Sequence, residues 1–360
     1  MVAAVESNER FEKANSEIKR KARELGLYKA DYLYYLLYFT ALIAAVAYSV
    51  YVIGTTESRV VWIAFAPIMA FLHTHLSYIA HDAGHDQVFP TRKKRNQYAL
   101  LVLCLLVGIG PSWWVYTHDA HHRDPNDTEK DPNVKVEPFL AFSPEQLAKK
   151  SAFWRWAIRY QDKYYYVLVA LETINMTWNS FEFLLSNKKK ERRRYRPHRW
   201  LELMLLTAHF VIYFSFLWLV MGYWMFAFVV VHKILQGLYL GAVFAPNHKG
   251  MDVVDDEAKR ELSWLERQVI TTRNVFRGWF GIITFLTGGL NYQVEHHLLW
   301  NVPRRRLGKA RAFIKPMIEE LGLPYYEMSF RASFMEVVRY FRRIGLGLIH
   351  TPRVARKAAR

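Results

Sequence analysis

Four runs of about twenty nearly uncharged residues, roughly 33–53, 60–79, 199–221 and 224–244, dominate this chain. A helix rises 1.5 Å per residue, so about 20 apolar residues cross the ~30 Å hydrocarbon core of a bilayer. Backbone amides within lipid must bond to one another, and a helix does this inside a single run. The expected fold class is therefore an all-α integral membrane protein with four transmembrane helices. The mean hydropathy of −0.06 averages these spans with very basic connecting segments.

The placement of charge orients the spans. The formal net charge is +17, with basic clusters at 13–29, at Arg92-Lys93-Lys94-Arg95, at 188–199 and at Arg304-Arg305-Arg306. The short turns after the first and third runs hold a single basic residue, Arg59. The positive-inside rule then puts both termini and both long polar regions in the cytosol. Basic segments that flank spans suit anionic lipid or an acidic protein rather than nucleic acid. Cys104 is the only cysteine, which excludes an internal disulfide and thiolate metal sites. Residues 1–30 are charged and helix-prone with no signal-peptide core, so the first span is expected to direct insertion. The expected organisation is a cytosolic segment 1–32, a membrane domain 33–312 and a basic cytosolic segment 313–360. The lack of eukaryotic sorting signals leans towards a bacterial plasma membrane.

Three further stretches are apolar yet ill-suited to crossing. The run 98–116 contains Gly108, Gly110 and Pro111, which break a continuous helix. Residues 164–185 carry Glu172, Asn175, Asn179 and Glu182, all costly in lipid. Residues 275–290 hold four glycines. All three are expected to be re-entrant or to lie in the interface, partly covering a cytosolic histidine-rich cap.

Most of the 14 histidines are grouped. His81 and His85 follow the second span; His118, His121 and His122 follow the run 98–116; Asn247-His248 follows the fourth span; His296 and His297 precede the basic triplet. Spacings of three and four put imidazoles on one face of a helix. Each group lies at a cytosolic boundary in this topology, so the groups can converge. Eight imidazoles exceed the three or four ligands of one zinc, which points to two metals. Imidazole alone does not choose among zinc, iron, copper and nickel. Asp82, Asp119, Asp124 and Glu295 adjoin the groups and are candidates to orient the ligands. His73 shares the helical face of His81 and His85 but would lie about 12 Å deeper, and is expected to be a core histidine. His75, His198, His209, His232 and His350 are expected to be structural or surface residues.

The pattern resembles the membrane fatty acid desaturase family, in its acyl-lipid and front-end branch. The resemblance is carried by His81-Asp-Ala-Gly-His85, by Trp113-Trp114 ahead of His118-Asp-Ala-His121-His122, by Asp124-Pro-Asn126 and by Asp131-Pro132. It continues through Ala245-Pro-Asn-His-Lys-Gly250, Arg267-Gln268, Thr272-Arg-Asn274 and Gly288-Gly-Leu-Asn-Tyr-Gln-Val-Glu-His-His297. It implies two non-haem iron ions held by His81, His85, His118, His121, His122, His248, His296 and His297, with O2 as co-substrate. It also implies Asn247 and Gln293 near the metals, and a fatty acyl substrate carried on a lipid or coenzyme A. Trp113 and Trp114 abut the second histidine group and are expected to line the substrate channel. Trp178, Trp264 and Trp279 are expected to anchor at the membrane interface, where tryptophan is enriched. Asp119 departs from the asparagine that many relatives have there. No His-Pro-Gly-Gly motif of a fused cytochrome b5 domain occurs, so electrons are expected from a separate ferredoxin, cytochrome b5 or reductase.

Two rival functions share parts of this pattern. A related hydroxylase or alkane oxygenase would use similar histidine groups, but the string ending at His297 favours desaturation. A metal transporter would place polar ligands halfway along the spans. The basic residues Arg304, Arg305, Arg306, Lys309 and Arg311 either dock an acidic electron carrier or substrate phosphates, or sit against anionic headgroups.

Overall fold

Each apolar run forms a helix that extends to, or slightly beyond, its expected ends. The computed structural model describes residues 2–89, 91–186, 198–275 and 281–349, and these are mostly helical. In chain order come α1 (Val2–Glu24), α2 (Tyr32–Thr55), α3 (Arg59–Gly84) and α4 (Arg92–Ala99), then a π-helix at Leu100–Val107 and α5 (Pro111–Arg123). Next are α6 (Pro144–Ala148), α7 (Ala152–Ile158), α8 (Gln161–Ala170), α9 (Glu172–Leu185), α10 (Arg199–Met221) and α11 (Trp224–His248). Beyond them lie α12 (Asp256–Glu261), α13 (Trp264–Ile270), α14 (Ile282–Leu286), α15 (Gln293–Leu298), α16 (Leu307–Glu320) and α17 (Phe330–Gly345). Helices α2, α3, α10 and α11 are long and apolar enough to cross a membrane. Leu33, Leu36 and Leu37 on α2 and Leu219 on α10 are more than half exposed, surface that lipid would cover. His350 and Trp279, and most of the expected basic segment 188–199, lie outside the described residues.

Contacts divide the chain into two compact units, one of residues 30–116 and 166–241, the other of 1–29, 117–165 and 242–360. The first holds α2, α3, α9, α10 and most of α11. The run 98–116 breaks where its glycines predicted: the helices on either side turn by 109°. Gly108 has φ +84°, and a Cβ there would lie 2.7 Å from the His209 ring, so both backbone and space demand glycine. The turn is fastened by Thr177, which donates to the Gly108 carbonyl at 2.9 Å, and by Ser180, which accepts from the Gly110 amide at 2.9 Å. Glu202 of α10 accepts from the Ser112 amide at 2.9 Å, a carboxylate at the positive end of α5. The stretch 164–185 is likewise broken, into α8 and α9. Glycines Gly237 and Gly241 of α11 let the chain at α8 approach closely. A Cβ at 237 would come within 2.5 Å of the Ala170 carbonyl oxygen, and one at 241 within 2.0 Å of Val169.

Three histidines expected singly, as core or surface residues, share one place in this unit. The rings of His73 on α3 and His232 on α11 lie 4.8 Å apart, and His232 Nδ1 is 2.8 Å from the Tyr213 hydroxyl on α10. His209 stacks on Tyr213, and Lys233 lies over the same ring and donates to Gln236 at 3.3 Å. The three histidines come from three different helices, so no linear spacing advertises the group.

The second unit is built round α1, α13, α15 and α16. Phe11, Ile18 and Ala22 of α1 pack with Leu265 and Val269 of α13 and with Phe313, Ile314 and Ile318 of α16. Ser263 and Glu266 form a reciprocal capping box that starts α13. A short parallel pair, β1 (Asn274–Val275) and β2 (Glu327–Met328), joins the segment before α14 to that before α17. Glu327 accepts from Arg311 at 2.5 and 2.7 Å and from Lys315 at 2.8 Å. Burial works against its ionisation, but these two cations hold the carboxyl below the ordinary glutamate range. A depressed acid pKa adds stability that is present above the unfolded-state value and is lost as pH falls through the folded one. Glu327→Gln is therefore expected to lower the thermal midpoint at pH 7 and to leave it nearly unchanged at pH 3. An equal loss at both pH values would contradict this.

Candidate metal centre

Three imidazoles in the second unit are set by three different acceptors. His121 Nδ1 lies 2.9 Å from Asp131 Oδ2, His248 Nδ1 lies 3.1 Å from the Thr271 carbonyl, and His297 Nδ1 lies 2.8 Å from Gln268 Oε1. A carboxylate, a carbonyl and an amide oxygen can only accept, so each Nδ1 carries the proton. Each Nε2 of the neutral ring is then a lone pair without a proton of its own, that of His248 also facing the Gln293 amide nitrogen at 2.9 Å. These three Nε2 atoms converge: the ligand atoms of His121, His248 and His297 lie within 4.8 Å of one another. His121 and His248 face each other nitrogen to nitrogen at 3.3 Å, and His297 Nε2 is buried with no hydrogen-bond partner among the described residues. Three lone pairs aimed at one point repel unless a cation lies between them. Metal–nitrogen bonds of about 2.1 Å would space neighbouring ligands by about 3.4 Å, close to the separation seen. The residues present fit a metal ion.

The sequence explains how each ligand reaches this point. His121 sits on α5, one turn from His118 and beside His122; His248 is the last residue of α11; His297 lies on α15. Asn126 has φ +54° and donates to the His248 and Asp252 carbonyls at 3.0 and 3.1 Å, tying the loop after α5 to the end of α11. Gln268 also donates to the His122 carbonyl at 3.0 Å, so one side chain spans two histidine groups. Asp131 also accepts from the backbone amides of Asn126 and Asn133 at 2.8 and 2.9 Å. Burial would raise its carboxyl, but attraction to His121 and these bonds bring it down to about 2. Burial, reinforced by neighbouring imidazoles, pushes His297 well below the ordinary histidine range, which keeps it in the neutral, ligating form.

A second set lies alongside. His118 and His122 bring their Nε2 atoms to 3.1 Å, and the ligand atom of His296 lies within 4.8 Å of both. In the other unit, His81 and His85 close α3 with rings 4.7 Å apart. His81 Nδ1 is 3.2 Å from Asp82 Oδ1, and Asp82 in turn accepts from the Tyr35 hydroxyl at 2.7 Å. Trp114 stands edge-on to both rings, at 5.6 and 6.3 Å. A Cβ on Gly84 would come within 2.5 Å of Trp114, which is why the spacer before His85 is glycine. Trp113 packs against the apolar core of its unit.

The remaining sequence candidates divide. Gln293 Nε2 lies 2.9 Å from His248 Nε2, and Asn247 donates to Gln293 Oε1 at 3.1 Å and to the Leu290 carbonyl at 2.9 Å. Asn247 thus fixes which way the glutamine amide faces. Asp119 lies on the exposed face of α5. Asp124 pairs with Lys259 and Arg123. Glu295 accepts from Asn274 at 2.8 Å and from Tyr325 rather than from an imidazole, and burial pushes its carboxyl up to about 7. Asp131, Gln268 and Thr271 are orienting groups that sequence reasoning missed, although the first two stand in the matched strings Asp131-Pro132 and Arg267-Gln268.

Comparison with known proteins places the chain in a family. The fatty acid desaturase family model matches residues 57–329. The chain belongs to the fatty acid desaturase family. Among curated relatives of this desaturase chain, a Delta(6)-fatty-acid desaturase of Caenorhabditis elegans is 26% identical over 322 residues, covering 88% of this chain and 70% of that protein. An acyl-lipid (9-3)-desaturase of Physcomitrium patens is 26% identical over 333 residues, covering 88% of this chain and 60% of that protein. A Delta 8-(E)-sphingolipid desaturase of Emericella nidulans is 25% identical over 347 residues, covering 91% of this chain and 62% of that protein. The chain therefore spans about two-thirds of the length of the curated relatives it matches.

Proposed function

We propose that this desaturase-family chain introduces a carbon–carbon double bond into a fatty acyl chain, using O2 and two histidine-held irons. The observation that carries the reading is the convergence of three Nε2 lone pairs, with Asp131, Thr271 and Gln268 holding the protons on the far sides of the rings. We assign His121, His248 and His297 to one iron, and His118, His122 and His296 to the other. His81 and His85 are added as ligands on the sequence resemblance. Bound there, iron would supply the O2-derived oxidant needed to remove hydrogen from an unactivated methylene pair, chemistry beyond any side chain.

The protein's own residues do the rest. Asp131 and Gln268 hold the His121 and His297 rings correctly turned, each with its proton on Nδ1, so the ligands need no reorganisation during turnover. Gln293 and Asn247 place an amide NH2 beside His248, where it would donate to a water. Trp113 and Trp114 are proposed to wall the acyl channel, keeping water away and one carbon pair in place. The four apolar helices fit a membrane protein. We propose that they span it with the termini and histidines cytosolic, in a bacterial plasma membrane. Acyl lipids named for the relatives, or an acyl-coenzyme A, are the proposed substrates.

The reading is tested by expressing the chain, and His297→Ala, with a redox partner in a host of simple fatty acid profile. Gas chromatography–mass spectrometry should show a new olefin with the intact chain and none above background with the variant. A hydroxylated acid in place of the olefin would move the chain to the oxygenase rival.

A further inference from the structure

We propose that Trp300 is where electrons enter the centre, and that the surface around it docks a small one-electron carrier protein with an acidic face. This rests on the desaturase reading, which requires an external reductant. The basic residues that looked from sequence like a docking site are largely engaged in the fold. Arg304 is buried, Arg306 donates to the Leu27 and Lys29 carbonyls, and Arg311 is held by Glu327. Trp300 is different. It follows α15 closely, remains 41% exposed, and its ring lies 6.3 Å from that of His122 at 76°, edge against face. His122 is one of the converging imidazoles, 3.1 Å from His118. A carrier resting on Trp300 would thus be one aromatic ring from a ligand, and electron transfer weakens steeply with every added gap.

The rim supplies complementarity. Trp264 of α13 lies 6.4 Å from Trp300, and Lys19 of α1 sits over Trp264 at 5.2 Å. Arg305 and Lys309 follow Trp300 in the chain and are exposed. Glu17 and Glu24, acids on the same helix as Lys19, are paired with Arg20. Exposed Trp300 beside half-buried Trp264, which carries the Lys19 cation over its ring, suits an acidic partner, and docking at such a charged face is fast and salt-sensitive. Each transfer would oxidise the carrier by one electron. Overall, two carrier electrons, two solvent protons and the two hydrogens of the methylene pair would reduce O2 to two waters.

The test uses the full-length, iron-loaded chain in nanodiscs with reduced cytochrome b5, whose haem absorbance reports its own oxidation. Trp300→Leu should slow cytochrome b5 oxidation at least tenfold, while iron content and reduction by dithionite stay within twofold of wild type. Trp300→Phe should restore most of the rate, because the ring is kept. Lys19→Glu should weaken cytochrome b5 binding to the metal-free chain at least fivefold at low salt, and that difference should vanish at high salt. A wild-type cytochrome b5 rate in Trp300→Leu overturns the proposal, as does equal loss of the dithionite reaction, which would mean a collapsed site. Olefin formation by wild type alongside an unaffected Trp300→Leu sinks this inference alone. A wild type that binds no iron sinks the desaturase reading with it.

Discussion

Asp131→Asn is expected to lower iron affinity by about 10–100-fold, the usual loss when a histidine ligand's partner is removed. The carboxylate can only accept, so it pins the His121 proton on Nδ1, 2.9 Å away, and leaves Nε2 bare. An asparagine can turn its NH2 towards Nδ1 instead, which moves the ring proton to Nε2 and blocks ligation. The variant should keep its helical circular dichroism, because Asn126 and Asn133 donate to different oxygens of Asp131 and the oxygen that asparagine retains still receives one of them. Asp124→Asn is the control. Asp124 lies in the same loop, but it pairs with Lys259 and Arg123, so iron affinity in this variant should stay within twofold of wild type. Competition against a chromogenic chelator measures both. Equal losses in the two variants would mean that loop charge, not ligand orientation, controls the metal.

Gly237→Val should destabilise the chain by on the order of 3 kcal/mol or more. The obstacle is a backbone atom: the Ala170 carbonyl oxygen lies 2.5 Å from where the new Cβ would stand, and it cannot rotate aside. Either α11 moves off or α8 breaks earlier. Because α11 ends at His248, the displacement should also reduce iron retention. Leu235→Val, at an exposed position on the same helix, should change the thermal midpoint little. A Gly237→Val protein that melts like wild type would show that this close approach is not made.

Length and glycine placement explain what could be read in advance. About twenty apolar residues have few alternatives to a helix, and the runs ending at 53, 79, 221 and 244 became α2, α3, α10 and α11. Gly108, with its positive φ, announced the 109° turn because no side chain tolerates that backbone and that space together. Helical spacing likewise placed His118, His121 and His122 on one turn. What spacing cannot report is proximity made by folding. Thr271 contributes a backbone carbonyl, which has no signature in residue type. Asp131 lies ten residues from His121 across an irregular loop, and Gln268 lies 29 residues from His297. Sequence adjacency misled in the opposite direction for Glu295, whose neighbour His296 faces the centre while its own carboxyl meets Asn274 and Tyr325. The cluster of His73, His209, His232 and Lys233 was hidden for the same reason, since its members come from three helices.

That this chain's histidines hold two irons is tested most directly by iron stoichiometry, measured by plasma emission spectrometry on the purified, anaerobically reconstituted chain. Two irons per chain are expected, falling to about one in His121→Ala/His248→Ala. No bound iron, or zinc retained in preference to iron under the same conditions, would contradict it.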